Sequence, residues 1–211
     1  MKQYKNGWFG PALLGLFALW TALVGTVDVR PIGPMDSEVG FAALNGWFHH
    51  LTGVHMGLYT LTDWLGLVPV AVCLLFAGIG AAQLIGRRRV DFEVLALGVY
   101  YLLVMAAYLL FEMVPINFRP VLIEGRLEAS YPSSTTLLVL GVMPTLSFLA
   151  RRRWRRGKAV GICADAFSVF MVAGRLVSGV HWLTDIVGAA LLSAGLFCIY
   201  QAVVVKYRKK N

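Results

Sequence analysis

Charged residues are scarce in this chain. Only 14% of its 211 residues are Asp, Glu, Lys or Arg and 58% are hydrophobic, where a soluble domain averages about 25% charged and about 45–50% apolar. That deficit excludes water as the main solvent. Cysteine is scarce too. Cys73, Cys163 and Cys198 are odd in number, far apart and all within apolar runs, which excludes a disulfide framework and a thiolate metal motif, so they read as small packing residues. A composition break, a low-complexity tract and an internal repeat are all lacking, so residues 1–211 read as a single integral membrane domain. The first apolar run has no small-residue cleavage site after it and reads as a retained span.

Long apolar runs are what the chain does have. A spanning helix needs about 20 mostly apolar residues, and runs of that kind lie at Trp8–Val27, Leu65–Ile85, Phe92–Phe111, Pro132–Ala150, Ala159–Leu176 and Leu183–Val205. The expected fold is all-α, a polytopic bundle of six transmembrane helices. Asp36–Gly53 is too short and too mixed to span. Its aromatics, with Asn45, His49 and His50, suggest a short interfacial helix between the first two spans.

The formal charge of +8 is gathered in short clusters between the spans rather than along one soluble face, so it marks topology and anionic-lipid contact and not a nucleic-acid partner. Lys2 and Lys5, Arg87–Arg89, Arg151–Lys158 and Lys206–Lys210 hold all but four of the 19 basic residues. Six spans place every cluster on one side, so both termini are expected in the cytoplasm. The four exceptions, Arg30, Arg119, Arg126 and Arg175, fall in the outer half, where topology gives no reason for arginine.

Two of these arginines sit in segments rich in chemistry. In Gly174-Arg175-Leu176-Val177-Ser178-Gly179-Val180-His181-Trp182-Leu183-Thr184-Asp185, three ionisable residues meet at the junction of the last two spans. His181 and Asp185 are four apart, so they share a helix face and the carboxylate is placed to hold one imidazole nitrogen, freeing the other for nucleophilic attack. Gly179 allows a turn that returns Arg175 toward His181 as an anion clamp. Ser130-Tyr131-Pro132-Ser133-Ser134-Thr135-Thr136 opens the fourth span with Pro132 at a first helical position, hydroxyls around it and free N–H groups suited to a phosphate. Glu112 and Arg119-Pro120 lie at the outer end of the third span. Plain alternatives weigh less here: helix capping at Ser133–Thr136 is compatible with phosphate contact, and Arg119 snorkelling to headgroups does not explain its place on the side poor in basic residues. His49, His50, His55 and Asp63 match no zinc spacing. Asp165 either pairs with the basic loop or has a role the sequence does not show.

Together these segments resemble the three-part signature of the type-2 phosphatidic acid phosphatase superfamily, whose members include six-span membrane phosphatases. The last motif, Ser-Arg, five residues, His, three residues, Asp, is met by Arg175, His181 and Asp185, with Gly174 in place of serine. In the middle motif, Pro-Ser-Gly-His, Pro132 and Ser133 match while Ser134 and Thr135 depart. In the first, Lys, six residues, Arg-Pro, the pair Arg119-Pro120 stands and Glu112 replaces lysine.

The resemblance implies a lipid phosphatase acting on a phosphomonoester or diphosphate such as a polyprenyl diphosphate or a phosphatidate-type lipid. His181 would form a phosphohistidine, Asp185 would orient it, and Arg119, Arg175, Ser133 and Ser134 would hold the phosphoryl oxygens. It implies no metal and no cofactor, a site facing the outer side of the cell membrane, and the bilayer and a phosphorylated lipid as partners. In the family the middle-motif histidine protonates the leaving oxygen, a task beyond the Thr135 hydroxyl. Three outcomes follow: a slow enzyme or one restricted to diphosphates, a proton supplied by Glu112, or a catalytically impaired homologue that binds or transports phospholipid.

Overall fold

The computed structural model describes residues 8–210, and Lys2 and Lys5 of the first basic cluster lie outside them. Eight α-helices follow in order: α1 (Phe9–Val24), α2 (Ala42–Thr52), α3 (Met56–Leu65), α4 (Leu67–Arg87), α5 (Phe92–Met113), α6 (Ser134–Arg153), α7 (Gly157–Val177) and α8 (Leu183–Lys210). No strand longer than an isolated bridge occurs among the described residues. Among the described residues, five helical segments are long and apolar enough to cross a membrane, and α1, with 16 residues, is a sixth and shorter apolar helix. The chain is a multi-pass membrane protein.

Two elements differ from the sequence expectation. The second span starts earlier: α3 and α4 run on as Met56–Arg87, 32 residues, because Gly66 keeps helical dihedrals (φ −59°, ψ −18°). The polar residues Thr60, Thr62 and Asp63 lower hydropathy without breaking the helix. The fourth span starts later: Ser133 is the N-cap of α6 and Pro132 stands outside the helix. Asp36–Gly53 holds a short helix, α2, as expected.

Antiparallel α6 and α7 pack side by side, and α8 packs against α1, α5 and α6. The core runs along α8 and α6, with Leu137, Val142, Ala189, Leu192 and Tyr200 buried, while α4 and α5 turn Leu74, Leu102 and Leu109 outward as a lipid-facing helix does. Tyr131 ties the loop before α6 into this core. Its ring stacks on Phe17 (6.3 Å) and its hydroxyl meets Thr21 (2.7 Å), and the ring lies so close to Gly188 that a Cβ there would stand 2.6 Å from it.

The basic clusters gather at one end of the bundle. Arg153 reaches Asp91 (3.0 Å) and Glu93 (2.8 Å), Arg208 also pairs with Glu93, and Arg151 holds Asp165 (2.5 Å). Asp165 therefore pairs with the basic loop. The loops 25–41, 114–133 and 178–182 close the opposite end.

Candidate active site

The site is built where the loop between α7 and α8 meets the starts of α6 and α8. Gly179 makes the turn at φ +70°, and a Cβ there would run into the backbone oxygen of Gly53, so the turn needs glycine twice over. The turn delivers His181 and the first turn of α8. Asn45 of α2 fixes that turn from outside: its Nδ2 donates to Gly40 O (2.8 Å) and Thr184 Oγ1 (2.9 Å), and its Oδ1 accepts the Thr184 N–H (3.3 Å). Trp182 donates its indole N–H to Phe118 O (2.7 Å).

Asp185 is fully buried and accepts three hydrogen bonds, from the Trp182 N–H (2.9 Å), Asn117 Nδ2 (3.3 Å) and Ser130 Oγ (2.5 Å). The first bond reaches back over the start of α8, as an acid at the third helical position does. The direct contact expected between Asp185 and His181 is not made. Their nearest atoms stand 3.9 Å apart, beyond hydrogen-bond reach, and Ser130 stands between, its Oγ 3.0 Å from His181 Nδ1. A serine has one hydroxyl proton. With that proton directed to Asp185, Ser130 Oγ accepts from Nδ1–H, which leaves the lone pair on Nε2. His181 Nε2 is buried and has no hydrogen-bond partner. Burial pushes the His181 imidazole down to about 4, Arg119 and Arg175 push the same way, and Asp185 opposes them.

The two arginines whose charge acts on this imidazole come from different elements. Arg175, from α7, directs Nη2 to Asp63 Oδ1 (3.2 Å) and to Thr135 Oγ1, and Nη1 to Thr62 Oγ1 (3.5 Å). Arg119, from the loop after α5, pairs its Nε with Glu128 (3.1 Å). Both lie over the Tyr59 ring of α3, at 4.9 Å for Arg175 and 5.9 Å for Arg119. Arg119 Nη1, Arg175 Nε and Ser133 Oγ are buried without a partner, as His181 Nε2 is. Such orphaned polar groups cost stability unless a ligand meets them.

The start of α6 completes the cradle. No side chain caps it, so its first-turn N–H groups are available, except that the Ser133 N–H donates to Asp185 O (3.2 Å). Ser134, Thr135 and Thr136 thus offer the free amides. Glu112 is exposed and forms no ion pair with Arg119, Arg126 or Arg175; it lines a small cavity with Ser130, Tyr131 and Ser134. The carboxylates that do meet the arginines, Glu128 and Asp63, carried no periodicity or motif that could have marked them, and the same holds for Tyr59 and Asn117. Ser130 lay inside a motif segment with nothing to single it out.

Below the cradle a largely apolar cavity of about 450 Å³ opens between α4, α5 and α6. Ser134 and Thr135 stand at its polar end, and Cys73, Leu102, Met105, Tyr108 and Leu138 line the rest.

A helical membrane bundle that holds a buried imidazole with an unpaired nitrogen, two guanidiniums whose charge reaches that ring and an uncapped helix start defines a class of membrane proteins fitted to phosphoryl groups. The model of the PAP2 superfamily matches residues 66–209, and the chain belongs to that superfamily. The crystal structure of the first transmembrane PAP2 type phosphatidylglycerolphosphate phosphatase from Bacillus subtilis is similar, with a TM-score of 0.54 and 20% sequence identity over 95% of this chain and 97% of that chain. At that identity the likeness is one of fold. Comparison with curated proteins finds no match.

Proposed function

We propose that the protein is a membrane lipid phosphatase that works through a phosphohistidine on His181. The observation that carries this reading is the state of the imidazole: Nδ1 is engaged by Ser130 and through it by Asp185, while buried Nε2 has no partner. In this reading Nε2 attacks phosphorus, the N–P bond forms and the bond to the lipid oxygen breaks. Water then attacks phosphorus, the N–P bond breaks and inorganic phosphate leaves. Arg119 Nη1, Arg175 Nε and the amides of Ser134, Thr135 and Thr136 stabilise the charge on the equatorial oxygens in both steps. Asp185 and Ser130 hold the ring and stabilise the positive charge it gains.

The lipid, rather than a water-soluble ester, is supported by the apolar cavity that starts at Ser134 and Thr135. The substrate in this reading is a lipid phosphomonoester or diphosphate, of phosphatidate or polyprenyl type. The site faces the outside and both termini face the cytoplasm, because Arg87–Arg89 and Arg151–Arg156 gather at the far end of the bundle.

The test is phosphate release by purified protein from lipid monophosphates and diphosphates, beside His181→Ala. Release that His181→Ala abolishes supports the reading. A well-folded protein that releases none over both substrate classes removes it and leaves the second reading, a homologue that binds or transports phospholipid, which is favoured by the carboxylates already paired with both arginines.

A further inference from the structure

The proposed reaction leaves one task unassigned. An alkoxide leaving from a lipid monophosphate needs a proton, and Thr135 stands where the motif has its acid. A carboxylate stands beside Thr135 that the motifs do not include. Asp63 belongs to α3, outside the residues matched by the family model. The same nitrogen, Arg175 Nη2, bonds both Asp63 Oδ1 (3.2 Å) and Thr135 Oγ1. Asp63 is therefore one guanidinium nitrogen away from the first turn of α6, where the phosphate is received. Tyr59, one helical turn earlier, lies under both guanidiniums, so this face of α3 looks into the site. The Asp63 side chain is 57% exposed while Arg175 is 1% exposed, which puts the carboxylate on the water side of a buried cation.

The other carboxylates are placed for different tasks. Asp185 is fully buried and already accepts three hydrogen bonds. Glu128 pairs with Arg119. Glu112 faces a cavity of about 10 Å³ beside Ser130 and Tyr131.

We propose that Asp63 is a catalytic proton shuttle for the leaving oxygen, an assignment that rests on the phosphatase reading above. The phosphate takes over Arg175 and frees the carboxylate next to it. A singly protonated lipid phosphate brings the proton: its P–O–H gives it to Asp63, and Asp63 gives it to the bridging oxygen as that P–O bond breaks and the His181 Nε2–P bond forms. The lipid alcohol leaves neutral. In the second step water attacks phosphorus, its P–O bond forms as the N–P bond breaks, and its proton passes to an oxygen of the product phosphate without Asp63. The carboxylate begins and ends each step ionised. The groups that face it are Arg175 from α7, Thr135 from α6 and Tyr59 from its own helix, with Arg119 across the Tyr59 ring.

The test uses purified full-length protein and two esters of matched chain length. One is a long-chain alkyl phosphate, whose alkoxide needs the proton; the other is a nitrophenyl phosphate bearing the same chain, whose phenolate leaves without one. Asp63→Asn is expected to lower kcat on the alkyl ester about 10²–10⁴-fold and to leave kcat on the aryl ester within about threefold, with Asp63→Glu, or Thr135→His added to Asp63→Asn, restoring the alkyl ester. Should Asp63→Asn fail to fold, Asp63→Ser is judged by the same ratio. Equal loss on both esters in folded protein, no loss on either, or a selective loss in Glu112→Gln instead overturns the role of Asp63 and leaves the phosphatase reading standing. Wild type that releases phosphate from neither ester takes down both.

Discussion

At the scale of single residues, Ser130 is the hinge of the account. It joins a fully buried carboxylate to an imidazole that the carboxylate does not touch, and its lone hydroxyl proton sets which ring nitrogen is free. Ser130→Ala removes both contacts. Losing hydrogen bonds to a charged group costs about 1.5–3 kcal/mol, so kcat is expected to fall roughly 10–100-fold with KM little changed; steady-state kinetics on any accepted ester checks this. The pH response has a definite sign. Folded His181 takes up a proton near pH 4, and the imidazole of the unfolded chain near 6.5. The nucleophile therefore stays neutral above about pH 4, and activity governed by it falls as pH drops through that value. Stability is affected in the same direction. The contribution of neutral His181 is complete above 6.5 and is lost as pH falls toward 4, because only the unfolded chain binds the proton in that window. Thermal unfolding at pH 7 and pH 5 is expected to show a lower midpoint at pH 5, and His181→Asn is expected to narrow the difference. Arg119, Ser133, Arg175, His181 and Asp185 were legible in the sequence because their spacing is set within or next to a helix. Ser130, Asp63 and Tyr59 were not, because their contacts join segments up to 112 residues apart through packing that no local pattern encodes, and Glu128 was not, because the irregular loop that folds it onto Arg119 has no periodicity.

At the scale of elements, the start of α8 depends on α2. Asn45 is a cap supplied from another helix, and three of its hydrogen bonds converge on Thr184 and Gly40. Asn45→Ala is expected to destabilise the fold by about 1–3 kcal/mol, through the lost cap and an unpaired buried amide, and to lower kcat because His181 and Asp185 flank the loosened turn. Thermal unfolding in detergent beside kinetics reads both effects. The helices themselves were legible from apolar runs of spanning length. Their outer ends were not. Hydropathy falls at Thr60, Thr62 and Asp63 although the helix continues to Met56, and Pro132 stands before α6 although proline is common inside a first turn. Both misplaced ends lie at the site, where polar residues serve the ligand cradle rather than the span.

At the scale of the whole molecule, the bundle has two unlike poles. One end is knitted by Arg153, Arg208 and Arg151 to Asp91, Glu93 and Asp165. The other holds the outer-half arginines, each of Arg30, Arg119 and Arg175 paired to a carboxylate. In the topology proposed above, the first pole lies in the cytoplasm. In a cysteine-free background, Glu124→Cys is expected to react with a membrane-impermeant maleimide in intact cells, and Arg155→Cys only after permeabilisation; the reverse pattern would invert the topology.

The central claim is that His181 becomes phosphorylated, and rapid quenching of wild-type protein with a labelled lipid phosphate tests it most directly. The account predicts an acid-labile, alkali-stable phosphoryl group on His181, formed at least as fast as phosphate is released and absent from His181→Ala. Sustained phosphate release with no phosphohistidine at any time point would contradict it.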